Sequence, residues 1–407
     1  MSRLAKVLQL PAVTAYLVSG LLLGPFCLGR LGIPGIGFNT LEEVEYFSML
    51  SQAALGFIAF AIGNEFRLSQ LKSMGRQAIT VGILQAVITT VVVDIVLVLL
   101  HFIMPDVMSL SSAITLGAIA AATAPAATLM VVKQYKANGP LTSLLLLVVA
   151  IDDAVGLVLF SASFGIAQAI EIGTVSISAV VLEPILEILF SLALGAAAGY
   201  ALYFAERFFH SRSKRLSLSV SFVLLAVGIS SLSFHIGPLH VSFSLLLVCM
   251  MTGTVFCNIC NFSEELMERV DRWTGPLSIL FFVISGAEMD LNILSNPLIL
   301  LVGVVFIVFR SLGKYFGSYC SCRMSHADSK ISKYLGITLL PQAGVALGMA
   351  QTAAQLGDGA MIRNVVLFAV LVYELVGPVF TKWALTKAGE IHPEGKTNAR
   401  VANAEKA

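Results

Sequence analysis

Apolar runs of roughly 18 or more residues, the length of a helix that crosses a bilayer, recur along almost the whole sequence. Polar breaks divide them into twelve predicted spans, at 7–26, 44–63, 78–103, 111–131, 141–163, 174–205, 216–235, 241–257, 274–289, 298–320, 334–355 and 363–385. Charged residues make up only 12% of the chain and the mean hydropathy is +0.90, whereas a soluble domain carries about 25% charged residues. We therefore expect an all-α polytopic membrane protein in contact with a lipid bilayer.

Basic residues are distributed unevenly over the segments that join these spans. If the N-terminus is cytoplasmic, nearly all the loop lysines and arginines lie on the cytoplasmic side, and only Arg30 and Arg363 lie outside. Because this positive-inside bias sets orientation, we predict a multi-pass protein of the cell (inner or plasma) membrane with both termini in the cytoplasm. Residues 1–388 then form a single transmembrane transporter unit, and residues 389–407 form a polar cytoplasmic tail. The net charge of +1 indicates no nucleic-acid partner.

Short motifs of the first half of the chain reappear in the second half at nearly constant separation. Three pairs carry this repeat: Gly63–Leu68 with Gly286–Leu291, Leu116–Gly117 with Leu335–Gly336, and Asp153–Gly156 with Glu374–Gly377. An odd number of spans separates the two members of each pair. The repeats, at about 44–163 and 274–385, must therefore lie in opposite membrane orientations, as in many secondary transporters.

Spans four and eleven each contain residues that disfavour a continuous helix. Span four contains the sequence TAPA at Thr123–Ala126, and span eleven contains PQAG at Pro341–Gly344, at nearly the same register. Proline removes a backbone donor and glycine permits unusual backbone paths. We predict that both helices are broken and cross near the membrane midplane, where unwound backbone lines a cavity.

Two adjacent carboxylates, Asp152 and Asp153, lie in the middle of the apolar span LLLLVVAIDDAVGLVLF. One charged side chain at this depth costs about 2.5–3.5 kcal/mol on insertion scales, so such acids indicate function. Burial and mutual repulsion favour keeping at least one of them protonated, and a desolvated cation can replace that proton. The pair is thus suited to competitive binding of a monovalent cation and protons; the alternative is that these acids only pair with basic residues to hold helices together. Thr123 would add a neutral oxygen ligand, unless it bonds its own backbone as helical threonines commonly do.

Span ten carries two basic residues, Arg310 and Lys314, which lie four residues apart and hence on one helical face. One of them should be the partner of Asp152. Lysine is the better candidate for a titrating partner, since arginine stays charged on burial; the alternative for both is extension to a membrane interface. Glu374, the repeat counterpart of Asp153, has either an accessory proton or structural role or a salt bridge to Arg310.

Together these residues resemble the monovalent cation:proton antiporter superfamily, which includes sodium/proton antiporters of the NhaA and NapA type. The resemblance covers nearly the whole chain and is carried by Gly20–Pro25, Ala122–Pro125, Ile151–Asp153, Gly313–Gly317 and Pro341–Gly344. It implies an inverted-repeat fold in which a six-helix core domain moves against a dimerisation domain, an elevator motion, and hence a homodimer. It also implies that Asp153 is the principal ion ligand and proton carrier, while Asp152 pairs with Lys314 and releases it when the cation binds.

Family members with two acids here generally exchange two protons for one sodium ion. The resemblance therefore implies an electrogenic Na⁺ (or Li⁺)/H⁺ antiporter that serves pH homeostasis, is not an enzyme and needs no cofactor. Two departures leave the choice of cation open, because Ala124 replaces an acid of some relatives and Gln342 replaces a common arginine. The alternatives are a K⁺/H⁺ antiporter and a sodium-coupled organic anion symporter of related fold.

Overall fold

The structure of the chain is a computed structural model. It describes residues 12–33, 37–68, 75–124, 128, 131–132, 135–171, 177–209, 211–232, 234–236, 239–241, 243–260, 262–289 and 296–391. The start of the first predicted span, Pro125 and Ala126 of the first predicted break, the last two residues of the motif Gly286–Leu291, and the tail from residue 392 lie outside these residues.

Helices make up almost all of the described residues. In chain order they are α1 (Ala12–Leu23), α2 (Leu41–Glu45), α3 (Ser48–Glu65), α4 (Arg76–Ile103), α5 (Leu110–Ile119), α6 (Pro140–Glu171), α7 (Ile177–Glu206), α8 (Arg212–Ser230), α9 (Leu245–Ile259), α10 (Ser263–Ala287), α11 (Pro297–Met324), α12 (Ser329–Thr338), α13 (Gly344–Ala353) and α14 (Gly359–Ala388). A 3₁₀ turn, Leu28–Leu31, follows α1. The strands β1 (Phe234–Ile236) and β2 (Leu239–Val241) form an antiparallel hairpin between α8 and α9, which the hydropathy pattern did not predict.

Six of these helices, α4, α6, α7, α8, α11 and α14, are long and apolar enough to cross a membrane by length and composition. Four shorter apolar helical stretches lie at Ala15–Leu31, Ser48–Asn64, Leu110–Ile119 and Leu245–Ile259. Several predicted boundaries were wrong, among them the end of the fifth span, predicted at residue 163, since α6 continues to Glu171. The seventh predicted span ran to residue 235, but α8 ends at Ser230 and the hairpin follows. The ninth was predicted from residue 274, but α10 begins at Ser263, because its first three turns are charged and hydropathy does not detect them.

The helices pack in two groups. The first group comprises α1, α3, α8, α9 and α10, the second comprises α4, α5, α6, α11, α12, α13 and α14, and α7 lies against both α9 and α6. Glycines allow close approach within the first group: a methyl group built on Gly253 of α9 would collide with the carbonyl oxygen of Phe60 on α3. Small residues at such contacts are the usual means by which membrane helices pack closely.

The two ends of the bundle differ in charge. Helices α3, α11 and α14 finish at the same end of the bundle at which α4, α6 and α10 begin, and we call this end the basic face. Two contacts join its helices: the Arg67 guanidinium donates to the Ser263 hydroxyl at 3.2 Å, and the Gln77 amide donates to the carbonyl oxygen of Ser325 at 3.4 Å. Most of the described lysines and arginines lie there. The opposite face has Arg363 at the first turns of α14.

Helix α6, which carries the two adjacent aspartates, is fixed at both ends. At the basic face the Glu390 carboxylate accepts hydrogen bonds from the backbone amides of Leu141 and Thr142 and from the Thr142 hydroxyl, each at 2.7 Å. At the opposite face Glu171 accepts a hydrogen bond from Ser111 at 2.9 Å. Since Glu390 is only 7% exposed, the packed part of the chain extends into the segment predicted to be the tail.

Candidate ion-binding site

Two non-helical segments meet in the second group of helices. Helix α5 ends at Ile119 and residues 122–124 are not helical, while α12 ends at Thr338 and α13 begins at Gly344. The Ala124 amide donates to the carbonyl oxygen of Pro341 at 2.9 Å, so the two segments contact each other at the TAPA and PQAG sequences. We call this contact the crossing point; it exposes backbone carbonyls that a continuous helix would use internally.

Arg310 of α11 occupies the crossing point and is fully buried. Its guanidinium donates to three carbonyl oxygens: Nε to Ala120 at 3.0 Å, Nη2 to Ala122 at 2.6 Å and Nη1 to Leu340 at 2.8 Å. It also lies 4.4 Å from the ring centre of Tyr373 on α14. An always-charged planar fork suits this role, because it neutralises the partial negative charge of carbonyls from both non-helical segments at once.

Lys314, one turn further along α11, forms an ion pair with Asp152 of α6. Its Nζ lies 2.9 Å from Asp152 Oδ2, and both side chains are fully buried. Gln85 of α4 bridges the pair, since its Oε1 accepts from Lys314 at 3.2 Å and its Nε2 donates to Asp152 Oδ1. Lys314 also donates to the carbonyl oxygen of Ala121. These added bonds are what a buried ion pair needs to offset the loss of hydration.

The glycines of the motif G-K-x-x-G allow Lys314 to reach this position. A methyl group built on Gly313 would lie 3.1 Å from the Cα of Thr89, and one built on Gly317 would lie 3.0 Å from the carbonyl oxygen of Gln85. Helix α11 therefore approaches α4 at backbone distance. Larger residues would separate the helices and move the ammonium group away from Gln85.

Asp153 is 2% exposed and lies beside the ion pair. It lies within electrostatic reach of Lys314. Gly156, one turn further on and therefore on the same face of α6, is near the crossing point, because a methyl group built on it would lie 3.8 Å from the Cα of Ala122. Two carboxylates, an ammonium and the carbonyls of a non-helical segment are thus gathered in one buried region.

The remaining predicted residues lie around this region. Thr123 donates to the carbonyl oxygen of Leu339 at 3.4 Å. Gln342 is fully buried and donates to the carbonyl oxygen of Ile119 at 3.0 Å, while its Oε1 has no hydrogen-bond partner among the described residues. Glu374 is 1% exposed and follows Tyr373 on α14; its role stays a prediction.

Gln85, Tyr373 and the three successive carbonyls at 120–122 belong to the site but were not predicted from the sequence. For Gln85 a signal existed, since it is a lone amide within the apolar run VGILQAVITT of α4. An amide buried in a membrane helix needs a polar partner, and here the partners are both members of the ion pair. The carbonyls gave no signal, because every residue has one.

Residues 1–387 match the family described as sodium/hydrogen exchanger, transmembrane. The chain belongs to this family. Members of the sodium/hydrogen exchanger family are multi-pass membrane proteins that transport monovalent cations and protons, so the resemblance drawn from the sequence is confirmed. The exchanger is accordingly a transporter and not an enzyme in the catalytic sense.

Individual relatives are distant but match over almost the full length. The K⁺/H⁺ antiporter subunit KhtU of Bacillus subtilis (strain 168) is 22% identical over 390 residues, which cover 94% of this exchanger and 89% of KhtU. The structure of the sodium proton antiporter MjNhaP1 from Methanocaldococcus jannaschii at pH 8 aligns with a TM-score of 0.68 at 19% identity, covering 97% of this chain and 95% of that one. A second MjNhaP1 structure, an electron-microscopy map, aligns with a TM-score of 0.63 at 18% identity over 96% and 95% of the two chains. The exchanger therefore has the fold of these antiporters.

Proposed function

We propose that this exchanger is an electrogenic antiporter that exchanges Na⁺ or Li⁺ for H⁺ at Asp152 and Asp153. The observation that carries the proposal is the fully buried ion pair between Asp152 and Lys314, with the second acid, Asp153, adjacent to it. Three ionisable groups at this depth are costly. The free energy spent on burying these three groups is explained if they change their charge state during transport.

The chemistry follows from charge balance. Without a metal ion, Lys314 neutralises Asp152, and burial favours a proton on Asp153. A cation that binds Asp153 displaces that proton and repels the Lys314 ammonium, so it competes with Lys314 for Asp152 and favours loss of a second proton. The Thr123 hydroxyl and Gln342 Oε1 are neutral oxygens near the crossing point, of the kind that hard cations prefer. The two loaded states are therefore mutually exclusive.

Access alternates, in this proposal, by movement of the second group of helices against the first. Glu390 and Glu171 support the movement of the second group as one body, because they fix the aspartate-bearing helix α6 at both ends. The first group would form the dimer interface, and the basic face would be cytoplasmic by the positive-inside rule. The twelve spans and the inverted repeat predicted from the sequence belong to the same proposal.

K⁺ is the second candidate cation, and one observation favours it: the relative that matches 94% of the chain bears the name K⁺/H⁺ antiporter subunit. The same aspartates would carry the exchange. The two candidates differ only in which ion drives proton movement.

The test is reconstituted exchange followed with a pH-sensitive dye. We expect purified protein in proteoliposomes to move protons when Na⁺ or Li⁺ is added, faster than with K⁺, and an imposed membrane potential to change the rate. Asp153→Asn should abolish exchange, while Asp106→Asn, the same change at an exposed residue, should leave it intact. Normal cation-driven proton movement by Asp153→Asn would refute the proposed site; K⁺-driven movement alone would select the second candidate.

A further inference from the structure

The β-hairpin between α8 and α9 has a histidine at the middle of each strand. Strand β1 reads FHI and strand β2 reads LHV, and the antiparallel register pairs His235 directly with His240. Successive residues of a strand alternate between its two sides, so residues that are paired across a ladder lie on the same side of it. The hairpin therefore has a pair of histidines on one side and its apolar residues on the other.

A directly opposed pair of histidines has the spacing of a two-ligand metal site. Opposite residues of an antiparallel pair have Cβ atoms about 4.5–5.5 Å apart, and an imidazole nitrogen binds Zn²⁺ at about 2.0–2.1 Å. Two imidazoles that start from neighbouring Cβ atoms can thus reach one ion. Imidazole nitrogen suits Cu²⁺, Ni²⁺ and Zn²⁺, whereas hard cations such as Mg²⁺ prefer oxygen ligands.

The hairpin is anchored to the helices on either side of it. Strand β2 packs against α7. Three residues beyond β2, the Ser244 amide donates to the Ser191 hydroxyl of α7 at 2.8 Å, and the Ser161 hydroxyl of α6 donates to the Ser244 hydroxyl at 3.1 Å. Because the paired register and these anchors fix the backbone before any ion binds, less conformational entropy is lost on binding.

The histidine pair also lies close to a polar cavity of about 340 Å³. Ser231 and Ser244, which flank the hairpin in the sequence, both line this cavity. Each lies four residues from the nearer histidine, and four residues span at most about 14 Å. Charges interact over about 10 Å at 0.1 M salt and about 30 Å at 0.01 M, so at low salt an ion held by the pair would act on the cavity.

We propose that His235 and His240 form a binding site for a divalent transition-metal ion of the class of Cu²⁺, Ni²⁺ and Zn²⁺, and that the bound ion slows exchange from the opposite face. The face follows from the chain path, since α9 ends at Ile259, just before α10 begins at the basic face, and the hairpin precedes α9. The second part of the proposal rests on the proposed antiport. Two added positive charges beside the cavity would lower the local concentration of a monovalent cation.

Metal binding is tested without any transport. Purified exchanger without a histidine tag receives one equivalent of Cu²⁺, and pulsed electron paramagnetic resonance counts the coordinated imidazoles. We expect two imidazoles in the unmodified protein and one in His235→Gln or His240→Gln. Each single change should weaken binding by roughly a hundredfold, because the second imidazole of the pair binds intramolecularly.

A matched variant tests the register itself. Combining His240→Val with Val241→His keeps the composition but moves one histidine to the other side of the strand, and it should weaken binding as much as His240→Gln does. His101→Gln is the control, since His101 lies in the last turn of α4 and its ring bonds to the Met108 carbonyl oxygen at 2.7 Å; it should bind Cu²⁺ normally. A single coordinated imidazole in the unmodified protein, or undiminished binding by the variant with the moved histidine, would overturn the site.

The effect on exchange is measured in vesicles that expose the opposite face, at low ionic strength. Saturating Zn²⁺ should slow proton movement driven by Na⁺ or K⁺ by roughly threefold to tenfold, and a chelator should reverse the effect. His235→Gln, and vesicles that expose the basic face, should not respond to Zn²⁺. Metal binding with an unchanged exchange rate would overturn the second part of the proposal. Absence of cation-driven proton movement before Zn²⁺ is added would instead refute the antiport, a result that leaves the Cu²⁺ measurement to decide the metal site.

Discussion

Removing Lys314 should destabilise the exchanger strongly, because it would leave Asp152 buried without its counter-charge. In the structure the two atoms Nζ and Oδ2 are 2.9 Å apart and both side chains are fully buried. Loss of one partner of such a pair costs about 3–5 kcal/mol. We expect Lys314→Met and Asp152→Asn each to lower the free energy of unfolding by about this amount. The loss of stability in Asp152→Asn should be the smaller of the two, since the asparagine side chain can still accept the hydrogen bond that the Gln85 amide donates.

The double variant provides the sharper result. With both charges removed no ion remains unpaired, so we expect it to lose about 1–2 kcal/mol, far less than the sum of the single changes. The coupling energy should then be at least about 4 kcal/mol, above the range of about 0.5–3 kcal/mol that is usual for residues in contact, because each single change leaves a buried charge unpaired. Unfolding in mixed detergent micelles, followed by far-ultraviolet circular dichroism, measures each free energy under reversible conditions.

A matched cycle supplies the control. Glu390 contacts α6 at Thr142, ten residues and roughly 15 Å along the helix from Asp152. Lys314→Met and Glu390→Gln should therefore be additive within about 0.5 kcal/mol. If the Lys314 and Asp152 changes were additive to the same degree, the buried ion pair would not exist in the folded protein, and its assigned role would be refuted.

Two further variants test the frame around the site. Arg310→Lys keeps the positive charge but loses the planar guanidinium that donates to three carbonyl oxygens. We expect exchange in proteoliposomes to be slower by at least about tenfold, which corresponds to about 1.4 kcal/mol. A wild-type rate would contradict the assigned geometry. Glu390→Gln leaves a neutral amide at the start of α6 in place of a carboxylate that accepts three hydrogen bonds. It should lower the free energy of unfolding by about 1 kcal/mol, and unchanged unfolding in the same micelles would argue against the cap.

Much of the fold can be predicted from hydropathy, because a helix that crosses a bilayer must be a long run of apolar residues. Helices α4 and α11 are continuous apolar runs whose bounds lie close to those predicted, whereas α6 begins as predicted but continues to Glu171, past the predicted end at 163. Hydropathy failed where a helix is amphipathic, as at the start of α10, where Glu265 and Glu268 pair with arginines one turn on. It also gave no indication of the hairpin after α8, since short strands of apolar residues resemble the end of a span.

The sequence revealed only those site residues whose burial in a membrane is energetically costly. Buried charges are expensive in a membrane, so Asp152, Asp153, Arg310 and Lys314 stood out from the sequence. Which basic residue faces Asp152 depends on how α11 is rotated against α4 and α6, which the sequence does not give. Lysine was favoured over arginine only because it titrates more readily. In the structure, Arg310 points to carbonyls and Lys314 to Asp152. Contacts made by backbone atoms are invisible in a sequence, since they depend on where a helix stops.

The most direct test of competitive binding is proton release when the cation is added. Purified protein in weakly buffered detergent solution, with a pH dye, should release protons as Na⁺ is added, and the release should saturate together with the heat of Na⁺ binding. Asp153→Asn should release none. Na⁺ binding without proton release by the unmodified protein would contradict the claim that one buried carboxylate pair holds either metal ion or protons.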